Sequence, residues 1–286
     1  MNNSSMFRRL FSAIGLLRES KVGMIGALIC LFWVLVAIFA DLIAPFDPLS
    51  NLLPMQAPLA ENPNGGLFWL GTDLLGRDIL SRIIYGTQTV MIYAPLATFT
   101  AYVVGIVMGL AGGYYQGKVD TLLSFIANVI LSFPVLVLYI LIISSIGASG
   151  ANIILAVTFA SAPGIFRIVR GLAMDLRSRE YVAAAQTRGE SGLWIMFVEI
   201  LPNARGPLIV DACLRLGYVI ITIGVLGFLG MGLPPPTPDW GGMISESRAL
   251  FSVFPHMAIF PCIAISSLVL GLNMLSDGLR EISLRD

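Results

Sequence analysis

The chain has 286 residues, of which 57% are hydrophobic and only 12% are charged. Soluble domains carry about 25% charged residues, so this composition excludes an ordinary soluble protein and indicates a polytopic membrane protein. The formal net charge is zero, which gives no electrostatic reason to expect nucleic acid as a ligand. Cys30, Cys213 and Cys262 lie in apolar runs without paired spacing, so neither a disulfide framework nor a metal site is expected.

The N-terminal residues 1–21 carry basic residues and apolar residues at roughly helical spacing. This pattern predicts an amphipathic segment on the cytoplasmic surface of the membrane. The apolar run that follows, at about residues 22–43, is too long for a cleaved signal peptide and predicts a retained first span. Residues 22–286 are therefore expected to form one transmembrane domain.

Five further apolar runs predict the remaining spans, at about residues 88–113, 121–146, 152–172, 206–231 and 256–276. Only helices make all their backbone hydrogen bonds within one segment, so the predicted class is all-α with six transmembrane helices. The predicted outer loops are residues 44–87 and 232–255, and residues 178–205 form a predicted cytoplasmic loop.

The positions of the basic residues set the orientation. With both termini in the cytoplasm, fourteen of the seventeen Lys and Arg residues fall on the inner side, and only Arg77, Arg82 and Arg248 fall outside. Two further arginines near the predicted fourth span, Arg167 and Arg170, are expected to snorkel to the inner surface or to contact the cytoplasmic loop.

The cytoplasmic loop is the most informative stretch of the chain. Residues 181–188 are rich in alanine and favour a helix, and residues 189–192 interrupt it. A second helix is expected at residues 193–201, ending at Pro202. The loop therefore predicts a helix-turn-helix on the membrane surface.

No catalytic site is predicted. Residues 112–118 read GGYYQGK, which resembles the start of a phosphate-binding loop, but Val119 replaces the required Ser or Thr. The chain has a single histidine, His256, so a Ser-His-Asp set or a zinc protease motif is not expected on familiar spacings. The chain is predicted to be a non-catalytic membrane subunit without a cofactor or metal of its own.

The cytoplasmic loop resembles the "EAA loop" of permease subunits of binding-protein-dependent ABC importers, in which a helix docks into a groove of the ATPase. Ala184, Ala185, Gly189, Leu201 and Pro202 fall on the spacing of that motif. Ala183 stands where the family often has Glu, and Glu199 where it often has Ile, so docking is expected to rest on shape and apolar packing. The resemblance implies an ATPase-coupling site formed by Ala183, Ala184, Ala185, Arg188, Gly189, Glu199, Leu201 and Pro202.

Residues 71–86 and 227–241 resemble stretches of the C-type permease in the dipeptide, oligopeptide and nickel branch of these importers, which implies a type I-like importer fold. Gly76 and Gly86 permit tight turns, and Arg77 and Asp78 are expected to form an exposed pair of opposite charge. Trp240, beside Asp239, fits an anchor at the membrane interface. Gly76, Arg77, Asp78, Asp239 and Trp240 are expected either to order the outer loops or to contact the binding protein.

The resemblance implies a subunit of a bacterial inner-membrane complex that imports peptides. Its implied partners are a second, homologous permease subunit, two ABC ATPase subunits that bind ATP and Mg²⁺, and a periplasmic substrate-binding protein. A nickel chelate, an opine or an oligosaccharide is the alternative cargo. An ion-coupled secondary transporter is the alternative from another class, although matched broken helices in two halves are not evident in the sequence.

Overall fold

The computed structural model describes residues 20–63 and 65–283. The predicted amphipathic segment at residues 1–21 therefore lies outside the described residues, apart from its last two positions. Helices dominate the described residues, which confirms the predicted all-α class. In chain order the helices of eight residues or more are α1 (Lys21–Ile38), α3 (Ile79–Tyr115), α4 (Gly117–Leu131), α5 (Val135–Ile146), α6 (Gly150–Arg177), α7 (Glu180–Thr187), α8 (Gly192–Phe228), α9 (Trp240–Ser247) and α10 (His256–Ser283), with one short helix, α2 (Ala40–Ile43), after α1.

In the part of the chain that the structure describes, five helices are long and apolar enough to cross a membrane: α1, α3, α6, α8 and α10. The predicted third span is a pair of helices, α4 and α5, which pass the same test only together and are bent by 88° at residues 132–134. The predicted six spans are therefore present when this bent pair counts as one.

Two of these helices begin earlier than the hydropathy pattern predicts. α3 begins at Ile79, within the predicted outer loop, because Asp78 Oδ2 accepts a hydrogen bond of 2.7 Å from the Ser81 amide and caps the helix there. α8 begins at Gly192, within the predicted cytoplasmic loop, where Ser191 Oγ accepts from the Trp194 amide at 3.2 Å. Hydropathy locates the apolar window of a span, whereas capping residues decide where the helix starts.

The predicted helix end at Pro202 is wrong, since α8 runs through this residue. The preceding segment, Ile195–Ile200, is a π-helix, and the Leu201 amide donates to the carbonyl of Met196, five residues earlier. Proline lacks an N–H group, and its ring clashes with the carbonyl four residues before it in a regular α-helix. The wider π turn changes the register at this point, which allows the helix to continue.

The described residues divide into two compact units. The first contains the chain up to Ala94, residues Ala148–Gly150 and the chain from Cys213 onward. In it, α1 and α10 cross at glycines: a Cβ atom on Gly26 would lie 2.8 Å from the backbone carbon of Met274, and Gly278 meets the backbone of Gly23. Such small residues allow close backbone approach between membrane helices.

The second unit contains Pro95–Gly147 and Ala151–Ala212. Its helices α3 and α6 pack through a row of glycines spaced four residues apart, Gly105, Gly109 and Gly113. A Cβ atom on Gly109 would lie 2.7 Å from Val169 Cγ1, which is closer than real contacts allow. This row of glycines brings α6 against α3 and supports the core beneath the helix-turn-helix.

A short antiparallel hairpin interrupts the segment between α2 and α3. Strand β1 (Ala60–Glu61) pairs with β2 (Leu67–Phe68), with Ala60 opposite Phe68. The Phe68 side chain is fully buried and lies 5.3 Å, between ring centroids, from Phe46. Strands of two residues are too short to give a periodic pattern, and the sequence did not predict them.

Candidate functional site

The helix-turn-helix predicted from the sequence is present. α7 turns Val182 and Ala185 toward a core that contains Ile195, Met196 and Ile200 of α8, and all five side chains are buried. The side chains of two neighbouring alanines, Ala183 and Ala184, are exposed. Of the three alanines expected to meet a partner, Ala185 therefore faces the interior of this chain because it packs in its own core.

The turn after α7 is a Schellman motif. The Gly189 amide donates to the Gln186 carbonyl at 3.0 Å, and the Glu190 amide donates to the Ala185 carbonyl at 3.2 Å. Gly189 has a φ of +79°, and no atom lies within 4 Å of the position that a Cβ would take. Backbone conformation rather than space therefore selects glycine at this position.

An ion pair connects the two helices of the motif. Arg188 Nη2 lies 3.2 Å from Glu199 Oε1, and Arg188 Nε lies 3.7 Å from Glu190 Oε1. The structure thus brings Arg188, Gly189 and Glu199 of the predicted site together. Leu201 is half-buried and Pro202 is exposed, both just after the π-helix.

An apolar surface lies next to this turn. Leu193, Trp194, Phe197 and Val198 of α8 are all exposed, with Leu193 at 64%. Together with Ala183 and Ala184, they define what we call the loop surface, which the motif spacing alone did not identify. Tyr181 was also missed: burial raises the pKa of its hydroxyl, which has no hydrogen-bond partner among the described residues.

The predicted exposed pair of Arg77 and Asp78 is not formed. Arg77, only 7% exposed, donates from Nε to Asp73 Oδ2 at 2.7 Å and from Nη2 to Glu246 Oε2 at 2.5 Å. Asp78 accepts from Ser81 instead, and burial is the main cause that raises the pKa of its carboxyl. The reason for the difference is helix capping, which orients Asp78 toward α3 and away from Arg77.

The glycine beside this ion pair has the conformation that the sequence predicts. Gly76 has a φ of +81° and closes a turn in which its amide donates to the Asp73 carbonyl at 3.0 Å. The Leu52 amide donates to the Gly76 carbonyl at 2.9 Å. The turn therefore presents Arg77 to Asp73 and ties the loop to residues earlier in the chain.

Asp239 and Trp240 begin α9, and both are buried. Asp239 accepts from the amides of Gly241 and Gly242 at 3.4 and 3.0 Å, and burial raises the pKa of its carboxyl to about 6. Trp240, at 1% exposure, donates from Nε1 to the Ile83 carbonyl at 3.0 Å. Trp240 is therefore a core residue of the first unit, and the predicted anchor at the membrane interface is wrong.

A cavity of about 210 Å³ lies beside these residues. Its lining includes Arg77, Arg82, Asp239 and Glu246. Arg82 is buried, 3.7 Å from Asp73 Oδ2 and 3.6 Å from Glu246 Oε2, while its Nε and Nη1 atoms have no hydrogen-bond partner among the described residues. The two arginines and the two carboxylates Asp73 and Glu246 form a compact charged network.

The family of the chain follows from comparison with known proteins. Residues 101–285 match the family described as "Binding-protein-dependent transport system inner membrane component", and residues 12–61 match the "N-terminal TM domain of oligopeptide transport permease C". The chain therefore belongs to the family of inner membrane components of binding-protein-dependent transport systems, which are permease subunits of ABC importers.

Three curated relatives illustrate the branch of this family. A dipeptide transport permease of Alkalihalophilus pseudofirmus is 37% identical over 93% of this chain and 86% of its own length, and one of Haemophilus influenzae is 37% identical over 92% and 90%. A glutathione transport permease of Escherichia coli O6:K15:H31 is 38% identical over 92% of this chain and 86% of its own.

Two solved structures share the fold. The MetNI methionine ABC transporter, in inward facing conformations, gives a TM-score of 0.60 at 17% identity and covers 71% of this chain and 97% of its own. An amino acid ABC transporter gives a TM-score of 0.54 at 15% identity, over 72% and 95%. The predicted ABC importer permease fold is confirmed, and the alternative of a secondary transporter is set aside.

Proposed function

We propose that the chain forms half of the translocation pathway of an ATP-driven importer of peptides. The observation that carries this proposal is the similarity, over 92–93% of the chain, to permeases named for dipeptide and glutathione transport, because glutathione is itself a tripeptide. A nickel chelate, an opine or an oligosaccharide remains the alternative cargo. Within residues 20–63 and 65–283, no group of three His, Cys, Asp or Glu side chains is placed to hold a metal ion.

The proposed complex contains a second, homologous permease subunit, two ABC ATPase subunits and a periplasmic binding protein. ATP and Mg²⁺ bind to the ATPases, so the motion that hydrolysis produces crosses a protein interface to reach this chain. The membrane is the bacterial inner membrane, with both termini in the cytoplasm. The asymmetric distribution of Lys and Arg supports this orientation.

The loop surface is the proposed contact with the ATPase. Val182 and Ala185 anchor α7 to the core of the second unit, so a force applied to the exposed side of α7 is transmitted to α3, α6 and α8. The exposed Ala183 and Ala184 allow close approach of a partner, and the Schellman turn at Gly189 sets the angle between α7 and α8. The neighbouring exposed apolar side chains provide area that a partner can bury.

The outer group of candidate residues has a proposed structural role. Gly76, Arg77, Asp78, Asp239 and Trp240 are all buried within this chain, which leaves little of them for contact with a binding protein. Arg77 joins the turn at Asp73 to Glu246 of α9, and Trp240 joins α9 to α3. We therefore assign these residues to the ordering of the outer segments.

The test of the function is transport by the native complex. The tagged chain is purified from its own membrane, its partners are identified by mass spectrometry, and the complex is reconstituted with its binding protein. Labelled dialanine should stimulate ATP hydrolysis and accumulate inside the vesicles, whereas a nickel chelate should do neither. Accumulation of the chelate without the dipeptide would contradict the proposed cargo, and uptake driven by an ion gradient without ATP would contradict the proposed mechanism.

A further inference from the structure

Arg167 places a charge inside the predicted fourth span, which lies within helix α6. With a rise of about 1.5 Å per residue, it lies about 8 Å from residue 172, the predicted cytoplasmic end of that span. Side chains on a helix point toward its N-terminus. The side chain of Arg167 therefore leaves the helix in the direction away from the nearer end, whereas the sequence predicted that it would snorkel to that end or contact the cytoplasmic loop.

Asn128 of α4 gives the same depth independently. Arg167 Nη2 donates to Asn128 Oδ1 at 2.8 Å. Asn128 lies about 16 Å along α4 from Gly117, at a rise of about 1.5 Å per residue. Both helices therefore place the pair inside their predicted spans, since Asn128 lies about 10 Å from residue 121, the predicted start of the third span.

The described residues do not neutralise the charge of Arg167. No carboxylate oxygen among the described residues lies within 4.0 Å of it, whereas Arg170, one turn further along α6, binds both oxygens of Asp120. The Arg167 side chain is exposed. A charged side chain that faces lipid at this depth costs several kcal/mol, so this face is expected to meet water or a polar ligand.

The surroundings of Arg167 are open. Gly171 follows it by one turn on α6, and no atom lies within 4 Å of the position that a Cβ on Gly171 would take. The break between α4 and α5, at residues 132–134, begins one turn after Asn128, and its residues are exposed. Non-helical backbone at membrane depth occurs where it lies within protein or lines a water-filled cavity.

We propose that Arg167, positioned by Asn128, forms a cationic subsite in the translocation pathway that binds the C-terminal carboxylate of the transported peptide. The inference rests on the peptide transport proposed above. Asn128 occupies one donor of the guanidinium, and no other described residue is hydrogen-bonded to it. A planar guanidinium binds a carboxylate through two parallel hydrogen bonds. A single subsite of this kind holds the cargo in transit and still releases it.

The test compares a peptide acid with its amide in the reconstituted complex. Uptake of dialanine and of its C-terminal amide is measured over a range of concentrations of the liganded binding protein, after the affinity of the binding protein for each has been determined. The wild-type complex should prefer the acid. Arg167→Gln should lower the acid-to-amide ratio of kcat/KM by roughly tenfold to a hundredfold, the range expected for loss of a charge-assisted hydrogen bond.

A second variant guards against a folding defect in the first. Asn128→Asp keeps the size of the side chain but supplies Arg167 with its own carboxylate, so it should abolish the acid preference with the arginine intact. Lys118→Gln removes an exposed cation near the start of α4 and is the matched control, which should keep the wild-type ratio.

The outcomes separate this inference from the function on which it rests. Import of both peptides with an unchanged ratio in Arg167→Gln and Asn128→Asp overturns the subsite and leaves the peptide function in place. Loss of the second permease subunit from both variants would make Arg167 an interface residue, which also overturns the subsite. Import of neither peptide by the wild-type complex would contradict the peptide function, and the subsite with it.

Discussion

Arg188 Nη2 and Glu199 Oε1 lie 3.2 Å apart, and this ion pair joins the C-terminal end of α7 to the π-helical segment of α8. Glu199 occupies a position at which the related motif often has an apolar residue. Glu199 therefore has a charged partner within the chain, Arg188. The ion pair between them stabilises the turn between α7 and α8.

The first prediction concerns this ion pair. Arg188→Glu should place a third carboxylate beside those of Glu190 and Glu199, open the turn and lower peptide-stimulated ATP hydrolysis in the reconstituted complex. The exchanged variant, Arg188→Glu with Glu199→Arg, should recover it. Because the pair is half-exposed, its contribution to the free energy of unfolding should stay below about 1 kcal/mol in a double-mutant cycle. Equal loss in the single and the exchanged variants would show that the pair has no part in coupling.

The second prediction concerns the turn itself. Gly189→Val should strain a backbone with a φ of +79° by about 1–3 kcal/mol and separate ATP hydrolysis from uptake. Gly189→Asn is the matched control, because Asn tolerates a positive φ better than other residues with a Cβ. Stimulated ATPase activity and uptake are measured for both. If Gly189→Asn is as defective as Gly189→Val, backbone conformation is not what the turn requires of this position.

The third prediction concerns the buried network of the outer segments. Arg77→Ala should remove the closer of the two arginines that pair with Asp73 and Glu246 and lower the thermal unfolding midpoint. Breaking a buried ion pair costs about 3–5 kcal/mol, reduced here by the partial exposure of Glu246 and by the pairing that Arg82 retains. Arg248→Ala, at an exposed position, is the control. The preference among peptides should be unchanged in Arg77→Ala, and a switch in cargo preference would contradict the structural role.

The fourth prediction concerns pH. Burial raises the pKa of the Asp239 carboxyl to about 6, from 3.8. Between these values the folded state binds more protons than the unfolded state, so this carboxyl lowers the free energy of unfolding as the pH rises from about 4 to about 6. The loss is on the order of 3 kcal/mol and is complete above that range.

Asp239→Asn isolates this effect, because Asn caps a helix as well as Asp does. Thermal unfolding midpoints of wild type and variant are compared from pH 4 to pH 8 in detergent. The variant should gain stability relative to wild type as the pH rises through this window. A difference that is constant with pH would show that Asp239 keeps an ordinary carboxyl pKa in the folded chain.

The sequence predicted the features that are encoded locally. The alanine-rich run at residues 181–188 folds as α7. Gly189 ends this helix because only a residue without a Cβ adopts a positive φ easily. Apolar runs located the spans because each must cross the same thickness of hydrocarbon. These signals lie within a few residues of the feature that they specify.

The features that were missed depend on distant or compensating contacts. Glu246, the partner of Arg77, lies 169 positions along the chain, and no periodicity records that pairing. Pro202 read as a helix end because the local rule assumes α-helical geometry, whereas the π-helix before it removes the clash. The depth of Arg167 likewise becomes evident only when the hydrogen bond to Asn128 places two helices side by side.

Coupling across the loop surface can be tested directly by enlarging one exposed residue of α7. Ala184→Trp enlarges an exposed side chain of α7 and should leave the chain folded. The added bulk should destabilise the contact with the ATPase by about 1–3 kcal/mol through overpacking. Ala249→Trp, the same exchange at an exposed position of the predicted outer segment 232–255, is the control. Retention of the ATPase subunits, stimulated ATP hydrolysis and uptake are measured in the same preparation.

We expect Ala184→Trp to release the ATPase subunits or to separate hydrolysis from uptake, whereas Ala249→Trp should behave as wild type. Normal ATPase retention, normal stimulated hydrolysis and normal uptake in Ala184→Trp would contradict the assignment of the loop surface as the coupling element.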